Sequence, residues 1–318
     1  MTRNETRAAA LAGPVVAGDV AASASAIVAE AAGKAASENF PVALRVLPAR
    51  YRSRLAALYG FARSADDMGD EAPVAERLAL LDELEADIHR LYRPGNGESG
   101  SGAPSGGQPG SDGGPRLPVV RALAPAVAEC AIPAAPFLDL IEANRQDQAV
   151  TRYPAFDDLL AYCSLSANPV GRVVLHIFGA ATPARVALSD LVCTALQLAE
   201  HWQDVAEDFR AGRIYLPGDD MDRFGCSEQD LAGDSAPPQL RDLIAFEVRR
   251  ARELLDQGAP IVGTLRGAAR LALAGYVAGG RAALAAISAS GYDVLAATPR
   301  PRRRRVVAEL VRAYASGR

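Results

Sequence analysis

The sequence predicts an all-α fold, and three features carry that expectation. Apolar residues recur three and four positions apart over long stretches, the period of a helix face. The alternating β-branched runs that make strands are nearly absent. The densest run of glycine, serine and proline forms one internal stretch, and the helical segments on either side carry no such cluster.

Residues 1–34 are Ala-rich without a steady period and read as a disordered or weakly helical tail. A single helical domain around a central cavity is expected over residues 35–318. Its first helices are RLAALYGFARSADDM and ERLALLDELEADIHRLY, which keep helical spacing with no internal Pro or Gly cluster. The stretch from about 94 to 117 is Gly/Ser/Pro low complexity, a flexible insertion looping out of the domain. Helical spacing resumes in VVRALAPAVAEC, PFLDLIEANRQDQAV, FDDLLAYCSLSANPVGRVVLHIFGA, ALSDLVCTALQLAEHWQDVAEDFRAG, LRDLIAFEVRRARELLDQG and an Ala-rich segment ending near Ser290. Two domains split at the insertion would leave the first piece few helices with which to bury a core.

A net charge of −4 gives no bulk attraction to nucleic acid or to an anionic membrane. Lys34 is the only lysine, an Arg bias that reflects base composition more than function. Cys130, Cys163, Cys193 and Cys226 are far apart, with no CxxC and no paired histidine, which argues for reduced cysteine and against a zinc site. No apolar run is long enough to span a bilayer, and Glu5 and Asp19 make the N-terminus unlike a signal peptide. The expectation is a cytoplasmic protein, at most peripheral at the inner membrane surface.

ADDMGDE, Ala65 to Glu71, crowds four acids behind an apolar helix. Counting back from Asp70 by helical steps gives Asp66, Ala62, Tyr59 and Leu55, so the two aspartates are expected on the inward face, with Asp67 and Glu71 solvated. In QLAEHWQDVAEDFRAGRIYLP the residues Gln197, Glu200, Asp204 and Asp208 share a second stripe. A solvated acidic face has the same pattern, but from Leu188 to Phe209 no Lys or Arg is mixed in. Inward carboxylates repel one another and lose hydration unless protonated or bridged by a cation. All-oxygen donors favour a hard ion, Mg²⁺ or Mn²⁺, which takes one or two carboxylates and fills its shell with phosphate and water. Two such pairs suit a diphosphate, and Arg63 and Arg213 stand close to them in sequence; a surface ion pair accounts for each arginine equally well.

SENFPVALRVLP, YGFARSADDMGDE, YCSLSANPVG and QLAEHWQDVAEDFRAGRIYLP, in this order and spacing, resemble the squalene/phytoene synthase family over about Ser37 to Tyr292. The resemblance implies the isoprenoid synthase fold, with two aspartate-rich helices facing each other across a cavity. It implies metal ligation by Asp66 and Asp70 and by Asp204 and Asp208, with Asp67 beside the first pair. Glu200 stands where the family usually has an asparagine ligand, adding charge and length to the site. Tyr59, Arg63, Arg213 and Tyr215 match residues flanking the two motifs and take catalytic roles by that match. Ser37, Phe40 and Gln197 match substrate-binding positions. Phe40, Tyr59, Phe61, Tyr162, Tyr215 and Tyr276 could supply aromatic walls that attract a carbocation, with plain core packing the favoured reading for Phe61 and for Tyr162. Ala297 replaces an arginine common after the YDV stretch, with Arg300, Arg302 or Arg303 as substitutes.

SENFPVA, SANPVG and HWQDV resemble most the bacterial branch that makes hydroxysqualene for hopanoids, although typical members carry Arg where this chain has Gln203. The reaction so implied takes presqualene diphosphate and water to hydroxysqualene and pyrophosphate, with Mg²⁺ and no nicotinamide cofactor. Prenyl diphosphate is then the expected partner, along with pathway enzymes upstream and downstream. Head-to-head condensation of two prenyl diphosphates is the alternative within the family. A non-catalytic helical assembly or interaction protein is the alternative outside it, and retention of all four pair aspartates speaks against that.

Overall fold

The computed structural model describes residues 47–93 and 113–316. The tail at 1–34, with Ser37 and Phe40 after it, and residues 94–112 of the insertion lie outside the described residues. Among those described there is no strand, only an isolated parallel bridge between Arg152 and Ile214.

Helix α1 spans Ala49–Asp70 and starts just after Pro48, whose extended backbone turns the chain into it. Its packed stripe is Leu58, Phe61, Ala65 and Met68, with Phe61 fully buried edge-on against Phe137. Helix α2 (Arg77–Leu91) leads to the insertion. The return from that insertion is tied down. The buried Asp87 carboxylate accepts from the backbone N–H groups of Arg116 and Leu117, each at 2.7 Å, and from Arg90 at 2.8 Å. Residues 113–117 therefore belong to the folded body, a correction to the flexible segment expected through 117. The same carboxylate sits at the N-terminus of α3 (Pro118–Cys130), where negative charge is favoured and Pro118 loses no hydrogen bond. Helices α1 and α2 pack on α3 and α4 (Ala135–Gln146), across the insertion.

Two stretches read as continuous helices are broken. The first divides into α5 (Phe156–Ser166) and α6 (Asn168–Ile177), because Pro169 cannot donate to the preceding turn. The second divides at Asp204, whose φ of −104° and ψ of 15° leave helical geometry, giving α7 (Pro183–Gln203) and α8 (Val205–Arg210). Thr182 caps α7 by accepting from the Arg185 N–H, with Pro183 in the first turn. Short helices α9 (Gly218–Phe224) and α10 (Glu228–Leu231) lead to α11 (Pro238–Gly258), α12 (Ile261–Thr264), α13 (Gly267–Ala289) and α14 (Arg303–Ser316).

The core centres on α7, which packs against α5, α6, α11 and α13 and buries Trp202 completely. Small residues set the spacing. A Cβ at Gly258 would stand 2.7 Å from the Leu188 carbonyl oxygen and 2.9 Å from the Val192 nitrogen, backbone atoms that cannot swing aside. Gly258→Ala should therefore force α11 away from α7 and cost about 1–3 kcal/mol. Chemical unfolding of the variant beside the parent measures it, and a loss below 0.5 kcal/mol, roughly the scatter of neutral surface changes, contradicts the close packing.

Candidate active site

The acidic motifs meet at one cavity of about 300 Å³, lined by Asp66 and Asp70 from α1, Asn144 and Asp147 from the end of α4, Tyr162 and Ser166 from α5, Gln197, Glu200 and His201 from α7, Asp204 and Asp208 around α8, and Arg213 and Tyr215 just beyond it. The Arg152–Ile214 bridge assembles the last part. The Ile214 N–H donates to the Thr151 carbonyl at 2.9 Å, laying the Arg213–Tyr215 segment beside the strap after α4. Arg213 then reaches α1 and pairs with Asp70 at 2.5 Å, joining the two acidic motifs.

Helical phase explains which acids of ADDMGDE reach the cavity. Asp66 and Asp70 lie four apart on the flank of α1 that opens to it, beside the packed stripe and not as its extension. Asp67, expected to be solvated, is buried instead, and Arg63 Nε pairs with it at 2.8 Å while Arg63 also reaches Glu71 at 3.2 Å. The residue one step past Asp66 turns by about 100° into the core, where the guanidinium one turn earlier answers it. Neither Arg63 nor Tyr59 is in the cavity wall; the positive charge of Arg63 acts on Asp66 from behind.

The electrostatics of the cavity are those of unanswered negative charge. Enclosure raises the Asp66 carboxyl to about 7, against a hydrogen bond from the Asn144 amide at 3.2 Å and with the charges of Asp70 and Glu200 adding to the rise. Asp208 is likewise pushed to about 7, by enclosure first and Asp204 second. Asp147 rises to about 6 although Tyr162 donates to it at 2.8 Å. Enclosure also raises Glu200 and Asp204, the latter eased by the charge of Arg300. Six carboxylates thus face one wall guanidinium.

A second cavity, of about 190 Å³, adjoins the first through Ser166, Gln197 and Glu200. Val170, Val174, Val192, Leu196, Leu273 and Tyr276 line it, which places Tyr276 on the apolar side. An aromatic group forms part of the wall of the acidic cavity. Tyr215 stacks on His201 at 3.7 Å, with Tyr162 and Tyr153 packed around them. Burial lowers the His201 pKa to about 3, so its ring is neutral and its Nε2 can accept from the Gln197 amide at 3.3 Å. The placement fits a ligand with a multiply charged head and a hydrocarbon body.

Sequence reasoning missed Asn144, Asp147 and His201. The first two stand three apart in EANRQDQ, a spacing that would have put both on one helix flank, but no apolar stripe marked that flank as inward. As to metal, among the described residues no three His, Cys, Asp or Glu side chains converge as a ready-made cage. The donor set still fits Mg²⁺, because that ion takes one or two carboxylates and completes its shell with phosphate and water.

The raised carboxyls have a consequence for stability. A folded-state pKa near 7 against an unfolded value of 3.8 means that the folded Asp66 holds its proton where the unfolded one has lost it. Stability is then greatest below about pH 4 for this group and falls as pH rises through 7. In divalent-free buffer, Asp66→Asn should melt above the parent at pH 8 and show a flatter decline between pH 5 and 8. A variant melting below the parent at pH 8 contradicts the unanswered charge.

The squalene/phytoene synthase family model matches residues 34–310. Hydroxysqualene synthase of Rhodopseudomonas palustris is 34% identical over 72% of this chain and 72% of its own, and phytoene synthase of Mycobacterium tuberculosis is 30% identical over 74% and 72%. The crystal structure of squalene synthase HpnC from Alicyclobacillus acidocaldarius superposes with a TM-score of 0.71 at 36% identity, covering 86% of this chain and 98% of that one. A ligand-bound dehydrosqualene synthase gives 0.75 at 25% identity, over 94% and 99%. With an all-helical fold shared with these structures and facing acidic motifs at one cavity, the chain belongs to the squalene/phytoene synthase family of enzymes, which act on prenyl diphosphates.

Proposed function

We propose that this protein converts presqualene diphosphate and water to hydroxysqualene and pyrophosphate. The observation that carries the reading is the junction of a carboxylate-lined cavity with an apolar one at Ser166, Gln197 and Glu200. Similarity to hydroxysqualene synthases supports this branch over the others.

Asp66 and Asp70 on one side, and Asp204 and Asp208 with Glu200 on the other, would hold Mg²⁺, which supplies neutralisation of the charge that develops on the departing pyrophosphate. Arg213 stands at the same wall and offers guanidinium N–H groups to diphosphate oxygens, exchanging part of its pairing with Asp70. Gln197, at the junction and bonded to the neutral His201, fixes the approach of the head group. The carbon–oxygen bond to diphosphate breaks at this junction, leaving the carbocation at the edge of the apolar cavity. Tyr162 and Tyr215, in the wall of the acidic cavity, stay neutral phenols because burial raises their pKa, and their ring faces favour positive charge. Val170, Val174, Val192 and Leu196 exclude water during rearrangement. Water then adds to the rearranged cation and its proton leaves with pyrophosphate, so atoms balance without a reductant.

The test is product analysis by mass spectrometry, with protein and Mg²⁺ and no reductant. Presqualene diphosphate should give hydroxysqualene, and farnesyl diphosphate should give no presqualene diphosphate. Condensation of farnesyl diphosphate would move the protein to the condensing branch, with the same acidic cavity. Asp66→Ala and Asp204→Ala should each lower turnover on the order of 10³-fold with helicity unchanged by circular dichroism. Residual activity within tenfold of the parent in either variant would remove that pair from the site.

A further inference from the structure

The last helix carries a surface that the reaction does not use. Residues 300–316 hold six arginines (Arg300, Arg302, Arg303, Arg304, Arg305 and Arg312) and one acid, Glu309. Glu309 is turned inward, buried and paired with Arg312 at 2.9 Å, so the outward face of α14 is cationic only. On that face Val307, Val311 and Tyr314 are 60%, 64% and 37% exposed. They stand at i, i+4 and i+7, a single stripe, and helical phase puts Arg303 and Arg304 on its two flanks. Among the described residues the molecule exposes few other large apolar side chains, Val74 and Leu78, and these lie on the turn into α2 and its start.

The arginines are also badly placed for the helix itself. Arg303, Arg304 and Arg305 occupy the first turn, where the helix dipole is positive and no acid lies; of the three, Arg305 reaches Glu309 one turn on, at 4.0 Å. Local stability therefore does not account for the cluster, and an external anion would relieve it.

We propose that this face of α14 rests on an anionic lipid bilayer, with Val307, Val311 and Tyr314 entering the headgroup boundary and the flanking arginines pairing with lipid phosphates. Cationic charge beside a short apolar stripe is the combination that binds helices in the plane of a bilayer, and three apolar side chains alone are too few. The net charge of −4 does not oppose this, because charge beyond a Debye length of about 10 Å is screened while the arginine cluster acts locally. Contrary to the expectation that no apolar run is long enough to span a bilayer, helix α13 is long and apolar enough by length and composition, the one such helix among the described residues. It lies instead between α7 and α14, with Leu273 and Tyr276 in the apolar cavity. The basic segment begins at the acidic cavity's edge, where Thr298 donates to Glu207 at 3.1 Å and Gln203 to the Pro299 carbonyl.

The test is co-sedimentation of the full chain with vesicles of phosphatidylcholine alone and of phosphatidylcholine with phosphatidylglycerol, at 0.1 and 0.5 M salt. Binding is expected on the anionic vesicles only, weakening with salt. Val307→Asp with Val311→Asp should reduce it about tenfold or more, and so should Arg303→Gln, Arg304→Gln and Arg305→Gln together. Thermal melting reports whether either set folds; the arginine set, entirely exposed, decides if the other does not. Equal partition onto neutral vesicles, no binding by the parent, or parent-like binding by a folded variant overturns the proposal. So does self-association through this face, seen by sedimentation velocity as dimers that the variants abolish, if vesicles go unbound.

Discussion

Crowded carboxylates around one enclosed space are the constraint on which the rest of this structure depends. Asp66, Asp147 and Asp208 each lose hydration and face like charge, which is why their carboxyls rise toward neutrality. The hydrogen bonds from Asn144 to Asp66 and from Tyr162 to Asp147, and the charge of Arg213, offset only part of this cost. The arrangement persists because α1, α4 and α7 are held by buried apolar faces, with Phe61 on Phe137 at one side and Trp202 in the centre. Arg213 supplies the direct electrostatic link across the cavity, to Asp70.

Two other aspartates show what a structural carboxylate looks like in the same molecule. Asp87 is buried completely but accepts from two backbone N–H groups and Arg90. Asp293 is held down to about 2, since hydrogen bonds from Ser235, Ala236 and Ala296 and the charge of Arg241 outweigh its desolvation. Each has donors enough for its charge and fastens a loop. The cavity aspartates have fewer, and that shortage separates them from carboxylates whose charge is fully answered within the fold.

The neighbouring apolar cavity gives the shortage a direction. Charge is concentrated on one side of Ser166, Gln197 and Glu200 and almost absent on the other. Low dielectric on one side strengthens charge–charge interactions at the junction, and the apolar lining disfavours water there. Glu200, at the junction, brings to it a charge that the family's usual asparagine would not, and enclosure raises its pKa.

The helical class and the two Asp-x-x-x-Asp pairs could be read from the sequence because both depend on periods of three and four, which are local. That Asp66, Asp70, Glu200, Asp204 and Asp208 share one cavity was expected through the resemblance, which supplied the facing of helices that spacing cannot. Tertiary structure alone decided the remainder. It turned Asp67 inward to Arg63, broke the long stretches at Ala167 and Asp204, left Tyr59 and Arg63 out of the cavity wall, and brought in Asn144, Asp147 and His201. The reason is that a sequence states the phase of a residue around its own helix, whereas what meets that residue depends on how other helices, distant along the chain, are packed.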